Sequence, residues 1–261
     1  MSLPTIPALI FAKEKPDSPP SAAASRKEEP MNFWLNLRLL LGNSSYLLLC
    51  ISFTMLYGIY TSLGAVVASI TAPFGYSGID NAIFGAVFIF FGVVGSFVLG
   101  MYLDKTAKFK FLIMMTSGGA IILILISLVT LPFNKWLFTI NLALVGFTVI
   151  PIIPISYGFA VELTFPVPEA MSNGMMILPS QVFGAFMGLL AGYICNLFPK
   201  DEPDQWKKGP KYAIMMFAIC AFIGCFCSLF IKEELKRLRP KDQTHASEVA
   251  DHDEHSKENV F

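Results

Sequence analysis

Six stretches of this chain contain no Asp, Glu, Lys or Arg. They lie between Arg38 and Asp80, Asp80 and Asp104, Lys110 and Lys135, Lys135 and Glu162, Glu169 and Lys200, and Lys211 and Lys232. Each is about 20 residues or longer, enough for a helix to cross a ~30 Å hydrocarbon layer at 1.5 Å per residue. The pattern predicts an all-α membrane protein with six spans, at about 46–71, 81–103, 111–131, 136–161, 170–197 and 212–231. Pro73 should end the first span and Pro132 the third, because proline cannot donate to the helix ladder. Pro151 and Pro154 fall inside the fourth and predict a kink there.

The flanks read differently. Residues 1–31 are rich in Pro, Ser, Ala and charge, and such a composition predicts a disordered tail. Residues 32–43, opening NFWLNLRLLL, predict a short amphipathic helix at the membrane interface, with Asn32 as its N-cap and Trp34 and Arg38 suited to headgroup depth. It is set off from the first span by Gly42-Asn43-Ser44-Ser45. Residues 44–232 form the transmembrane domain on this reading, and 233–261 a charged tail.

Composition agrees: 54% of residues are hydrophobic, 15% are charged and the mean hydropathy is +0.60, too apolar for a soluble domain of this length. Net charge is zero, so nothing points to nucleic acid. Basic residues concentrate on the loops and tails that share a side with both termini, which predicts cytoplasmic termini; Lys207, Lys208 and Lys211 run against that bias. Which membrane holds the chain is left open.

The turn from Glu162 to Glu169 joins the fourth and fifth spans. Pro166 and Pro168 stop the helix before them and push the preceding residues toward extended conformations. On the fifth span Ser180, Gly184, Gly188 and Gly192 recur every fourth residue, and on the second Gly92, Ser96 and Gly100 do the same. Rows of small residues allow close helix approach inside lipid. They suit either packing within this bundle or a face offered to a second one. Gln181 is an amide in an otherwise apolar run and needs a hydrogen-bond partner there.

Two blocks, FAVELTFP with SQVFG downstream and Gly95-Ser-Phe-Val-Leu-Gly-Met-Tyr-Leu-Asp-Lys-Thr106, resemble the feline leukaemia virus subgroup C receptor family of major facilitator transporters. The resemblance runs from about Asn32 to Ile231 and covers only the second half of such a transporter. It implies a six-helix half-bundle and solute transport. It also implies that Tyr60 and Gln181 match the aromatic residue and the glutamine with which family members bind choline-like amines; haem is the family's other proposed cargo. Gly100, Asp104 and Lys105 match the superfamily's cytoplasmic G-x-x-x-D-R/K latch, although Thr106, Ala107 and Lys108 depart from its strict continuation.

The residues support that reading on their own terms. Tyr60 and Gln181 fall near the middle of their spans, with Tyr57 one turn from Tyr60 on the same face. An aromatic face with one amide and no carboxylate suits a weakly hydrated cation, which ring quadrupoles attract by roughly 0.5–2 kcal/mol. The plainer alternative is that Tyr60 packs and Gln181 bonds a neighbouring helix. Asp104, past the end of the second span, is expected to accept bonds from the N-terminus of a neighbouring helix. Glu162 and Glu169 mark the other inner turn. No Asp, Glu or His lies within a span, so facilitated movement is simpler than ion coupling.

Other chemistry finds little support. Every His lies in the acidic C-terminal tail, no metalloprotease or serine-hydrolase motif occurs, and the five cysteines lie in or beside apolar runs at spacings that fit neither zinc nor a disulfide framework. No catalysis, metal or cofactor is expected. The partners expected are a small-molecule substrate, lipid and a second six-helix half, as a homodimer or a separate chain. The competing reading is a truncated half-transporter that does not transport, either a regulatory partner of a full transporter or a fragment of an incomplete gene model.

Overall fold

The computed structural model describes residues 32–233; the expected disordered N-terminal tail and nearly all of the charged C-terminal one lie outside these. Nine α-helices are present among the described residues, and no strand. The chain divides at Asn36/Leu37, inside helix α1 (Phe33–Gly42), and the described helices that follow belong to one compact unit. The remaining helices are α2 (Ser44–Thr71), α3 (Gly78–Thr106), α4 (Phe109–Phe133), α5 (Lys135–Val149), α6 (Ile152–Thr164), α7 (Glu169–Asn196), α8 (Pro203–Trp206) and α9 (Lys208–Leu229). They form six segments long and apolar enough to cross a membrane, with α5 and α6 together making the fourth. The chain is an all-α, multi-pass membrane protein.

Helix ends follow local chemistry. Asn43 caps α2 by accepting the backbone N–H of Tyr46 at 3.1 Å, and its amide donates to the Leu163 carbonyl at 2.9 Å. Tyr46 donates its hydroxyl to the Ser172 carbonyl at 2.6 Å, so the start of α2 grips both sides of the 162–169 turn. That turn runs from the end of α6 at Thr164 to the start of α7 at Glu169 and contains a cis Phe165–Pro166 bond. Ser77 and Asp80 form a reciprocal capping box at the start of α3.

Prolines behave differently from expectation at two places. Pro132 does not close the third span; α4 continues through it to Phe133, because a proline in the last turn forfeits only one ladder bond and the helix ends immediately at Asn134. The fourth span is broken outright, α5 ending at Val149 and α6 starting at Ile152. The break marks a change of neighbours. The first piece, α5, packs against α3 and α4, whereas the second piece, α6, packs mainly against α2, α4 and α7.

Two helix pairs dominate the packing, α2 with α7 and α3 with α5, while α9 backs α2 and α4. Glycines set both seams. A Cβ at Gly58 would lie 2.7 Å from the Phe183 ring, and one at Gly184 would overlap Thr61. Ser180 lies fully buried and shares a 2.9 Å hydrogen bond with Thr54; Gly188 and Gly192 continue along the same seam, with Ser62 and Val66 opposite. Across the other seam, Gly92 leaves room for the Ile150 side chain, and Gly95 and Gly146 bring backbone against the carbonyl oxygens of Phe147 and Phe88. The small-residue row of α7 is thus used inside this bundle, as is Gly92. Gly100 is not a packing glycine: nothing lies within 4 Å of where its Cβ would be. Ser96 turns its hydroxyl onto the Gly92 carbonyl at 2.9 Å.

Candidate ligand site and inner turns

Tyr57 and Tyr60 occupy the middle of α2, and Gln181 the middle of α7, so the tight α2–α7 seam brings them to one depth. The Gln181 amide donates to the Tyr57 hydroxyl at 2.9 Å. Gln181 thereby finds its partner across helices, and the residue it holds is Tyr57 rather than Tyr60. Tyr57 is 7% exposed, Tyr60 is half-buried and Gln181 lies at the open edge. The Tyr57 and Tyr60 ring centroids are 5.8 Å apart, and Tyr60 stacks on Phe88 of α3 at 6.2 Å. On its other side Tyr57 stacks on Phe53 at 5.2 Å, and Phe53 meets Tyr157 of α6 at 5.6 Å. Five rings in line therefore connect α3, α2 and α6. Phe53, Phe88 and Tyr157 were not legible as site residues, because their relation to Tyr57 is set by helix packing.

The arrangement supplies π faces, one amide and the phenols of Tyr57, Tyr60 and Tyr157, with no carboxylate among them. Such a surface can hold a desolvated organic cation by its quadrupoles and one hydrogen-bonding group of the ligand by the amide.

At the end of the bundle where α3 and α6 finish, Gly100, Asp104 and Glu162 come together from two distant stretches. They line a depression of about 400 Å³ with Gly158 and Pro154, where the missing side chain of Gly100 contributes room. Asp104 is exposed on the last turn of α3, and Glu162 is buried on the last turn of α6. Asp104 does not reach a helix N-terminus. The backbone N–H of Lys110, in the first turn of α4, donates to a Glu233 carboxylate oxygen at 3.4 Å, and Lys110 Nζ donates to the Leu229 carbonyl at the end of α9, 2.8 Å away. Carboxylate at a helix start and ammonium at a helix end both complement the helix dipole. Lys105 is exposed in the last turn of α3 and Glu169 at the first position of α7, each at the helix end its charge favours.

Two polar features were missed in the sequence. Lys135 donates to Asp80 at 2.9 Å and lies 5.4 Å from the Trp136 ring centre, tying the starts of α3 and α5 together. The pattern Ser77-x-x-Asp80 signals the helix start that places Asp80 there. Asn141, on α5, donates to Ser127 of α4 at 2.6 Å in a buried polar pair. An amide in an apolar run, the feature that singled out Gln181, would also have found it. Among the described residues no cluster of His, Cys, Asp and Glu could hold a metal.

Six apolar spans, one of them broken at proline, define a polytopic membrane protein. Residues 1–167 match the Major Facilitator Superfamily, and the chain belongs to that superfamily, its six spans corresponding to one half of the fold. It is similar to solute carrier family 49 member A3 of Xenopus tropicalis, 29% identical over 91% of this chain and 52% of that protein. It is also similar to choline/ethanolamine transporter FLVCR2 of Homo sapiens, 24% identical over 95% of this chain and 46% of the relative. Choline/ethanolamine transporter FLVCR1 of Mus musculus is 27% identical over 88% and 40%, respectively. These relatives agree with the family resemblance carried by the FAVELTFP and SQVFG blocks. The chain spans about half the length of the curated relatives it matches.

Proposed function

We propose that this chain forms the second half of a facilitative alternating-access carrier for a small organic amine of the choline or ethanolamine kind. The observation that carries the reading is the mid-depth site itself: Tyr57 and Tyr60 rings 5.8 Å apart, with the Gln181 amide on Tyr57. A quaternary or primary ammonium is stabilised on such faces without a counter-ion. The names of FLVCR1 and FLVCR2 point to the same substrate class. In this reading both termini are cytoplasmic, α1 lies in the interface, and the depression lined by Gly100, Asp104 and Glu162 belongs to the inner latch. A second reading is a half-transporter that does not itself transport, favoured by the open edge at Gln181, which walls only one side of a ligand.

The test is uptake of labelled choline and ethanolamine by cells expressing the chain with its natural partners. Tyr60→Ala is expected to weaken amine affinity by about 0.5–2 kcal/mol, Tyr60→Phe to retain most of it, and Gln181→Ala to lower uptake with the protein still folded. Equal uptake by wild type and both alanine variants removes the site. No uptake above background by wild type supports the non-transporting half.

A further inference from the structure

Tyr57, Tyr60, Gly64, Val67 and Thr71 recur along α2 at spacings of three and four residues, which places them on one face of the helix. Asn81, Phe84, Gly85 and Phe88 share a face of α3 by the same spacing. The two faces meet at two levels. At mid-depth Tyr60 stacks on Phe88, with ring centroids 6.2 Å apart. Toward the end of α2 and the start of α3, the Thr71 hydroxyl donates to Asn81 Oδ1 at 2.7 Å. These two contacts are separated by about 16 Å along α2, at 1.5 Å per residue. Between them lies a groove of about 260 Å³, with Gly64 and Val67 on one wall, Phe84, Gly85 and Phe88 on the other, and Leu142 of α5 also lining it.

Two glycines make this groove wide. Gly64 lies one turn after Tyr60 and Gly85 one turn before Phe88, so they stand on opposite walls at the same distance from the ring pair. Nothing lies within 4 Å of where a Cβ would be at either position. At Gly58, Gly92, Gly95, Gly146 and Gly184, by contrast, a neighbouring atom already occupies that space. A glycine inside a helix weakens it relative to alanine, and packing requires neither Gly64 nor Gly85. What they supply is room. The lining is hydrocarbon apart from Asn81, whose oxygen is engaged by Thr71, and no charged side chain is part of it.

We propose that this groove is a subsite for the hydrocarbon chain of an amphiphilic ammonium ligand. The ammonium rests on the Tyr57 and Tyr60 rings, and the chain runs from the Tyr60–Phe88 pair along Gly64 and Gly85 toward Asn81. The proposal rests on the amine-carrier reading and deepens it. Continuity decides the occupant: Phe88 belongs both to the ring row of the amine site and to the wall of the groove, and Tyr60 leads into Gly64 and Val67 on its own helix face. A second ammonium in the groove would find no anion, whereas an alkyl chain buries apolar surface there. The ligand class thus extends from compact amines to quaternary amines that carry an alkyl chain.

The experiment is equilibrium binding of ethyl-, butyl-, hexyl- and octyltrimethylammonium to membranes of cells expressing the full chain, with wild type, Gly85→Leu and Gly64→Val compared. Because the groove is open along one side, wild-type affinity is expected to rise about two- to fourfold per added methylene, from half burial to full burial of each group. Leu at position 85 and Val at position 64 fill the groove from opposite walls, and each is expected to flatten the rise with chain length. Partition of longer ions into the bilayer raises binding equally in all three membranes, so the difference between the slopes is what is read. Equal slopes in wild type and both variants overturn the proposal, and a groove filled by a membrane lipid tail gives that result. If wild type binds none of the four ions, the amine-carrier reading itself fails; if it binds them with the slope of the filled variants, only the groove's role fails.

Discussion

At the scale of single residues, one backbone position carries a measurable cost. Ala107 ends α3 with φ 51° and ψ 23°, a left-handed conformation in which its Cβ crowds the following carbonyl. Such C-caps are ordinarily glycine. Ala107→Gly is expected to stabilise the protein by about 1 kcal/mol, read as a higher unfolding temperature in detergent micelles, while leaving the neighbouring Asp104 carboxylate in place. A lower unfolding temperature would mean that the alanine methyl makes a contact worth more than the conformational cost. The ligand site teaches a related lesson. That Gln181 needs a partner is legible in its isolation among apolar residues, but the choice of Tyr57 over Tyr60 follows from which turn of α2 faces α7, and no spacing rule along one helix contains that.

At the scale of elements, the six spans were legible because long charge-free stretches in a chain this apolar have few alternatives to crossing a bilayer. Helix starts with polar caps, Asn43 and the Ser77/Asp80 box, were legible in principle through their residue types. Seams were harder. The regular row Ser180, Gly184, Gly188 and Gly192 drew attention, yet the closest backbone approach joins α3 and α5 through Gly95 and Gly146, which belong to no row of four. Gly100 sits in register with Gly92 and Ser96 but faces open space. The expected consequence is a sharp contrast between two glycine-to-alanine changes. Gly146→Ala would drive a methyl into the Phe88 backbone carbonyl and should cost about 1–3 kcal/mol or more, because backbone cannot rotate away as a side chain can. Gly100→Ala meets nothing and should be neutral or stabilising by up to about 1 kcal/mol through helix propensity. Thermal unfolding of both variants in one detergent checks the pair; equal effects would contradict the seam assignment.

At the scale of the whole molecule, burial is unevenly shared among the spans. The most apolar 18-residue windows of α3 and α7 are 22% and 28% buried, against 39–56% for the other four. Both helices spend their small residues on neighbours within the bundle and turn large ones outward: Leu178, Val182, Phe186, Leu189 and Tyr193 on α7, and Phe90, Val93 and Phe97 on α3. A second six-helix half laid against these two spans would cover the open edge of the site, where Gln181 is exposed and only one side of a ligand is walled. Small-molecule sites enclose most of their ligand, so one wall alone is expected to bind weakly and to provide no alternating access. Six helices alone are therefore expected not to transport, and to do so only when a second six-helix half completes the site. Native mass spectrometry of the chain released from lipid, run beside amine uptake into vesicles at the same protein density, tests this directly. Uptake is expected to appear only where a dimer or a second chain is detected, and a strictly monomeric species with saturable uptake would show that six helices suffice.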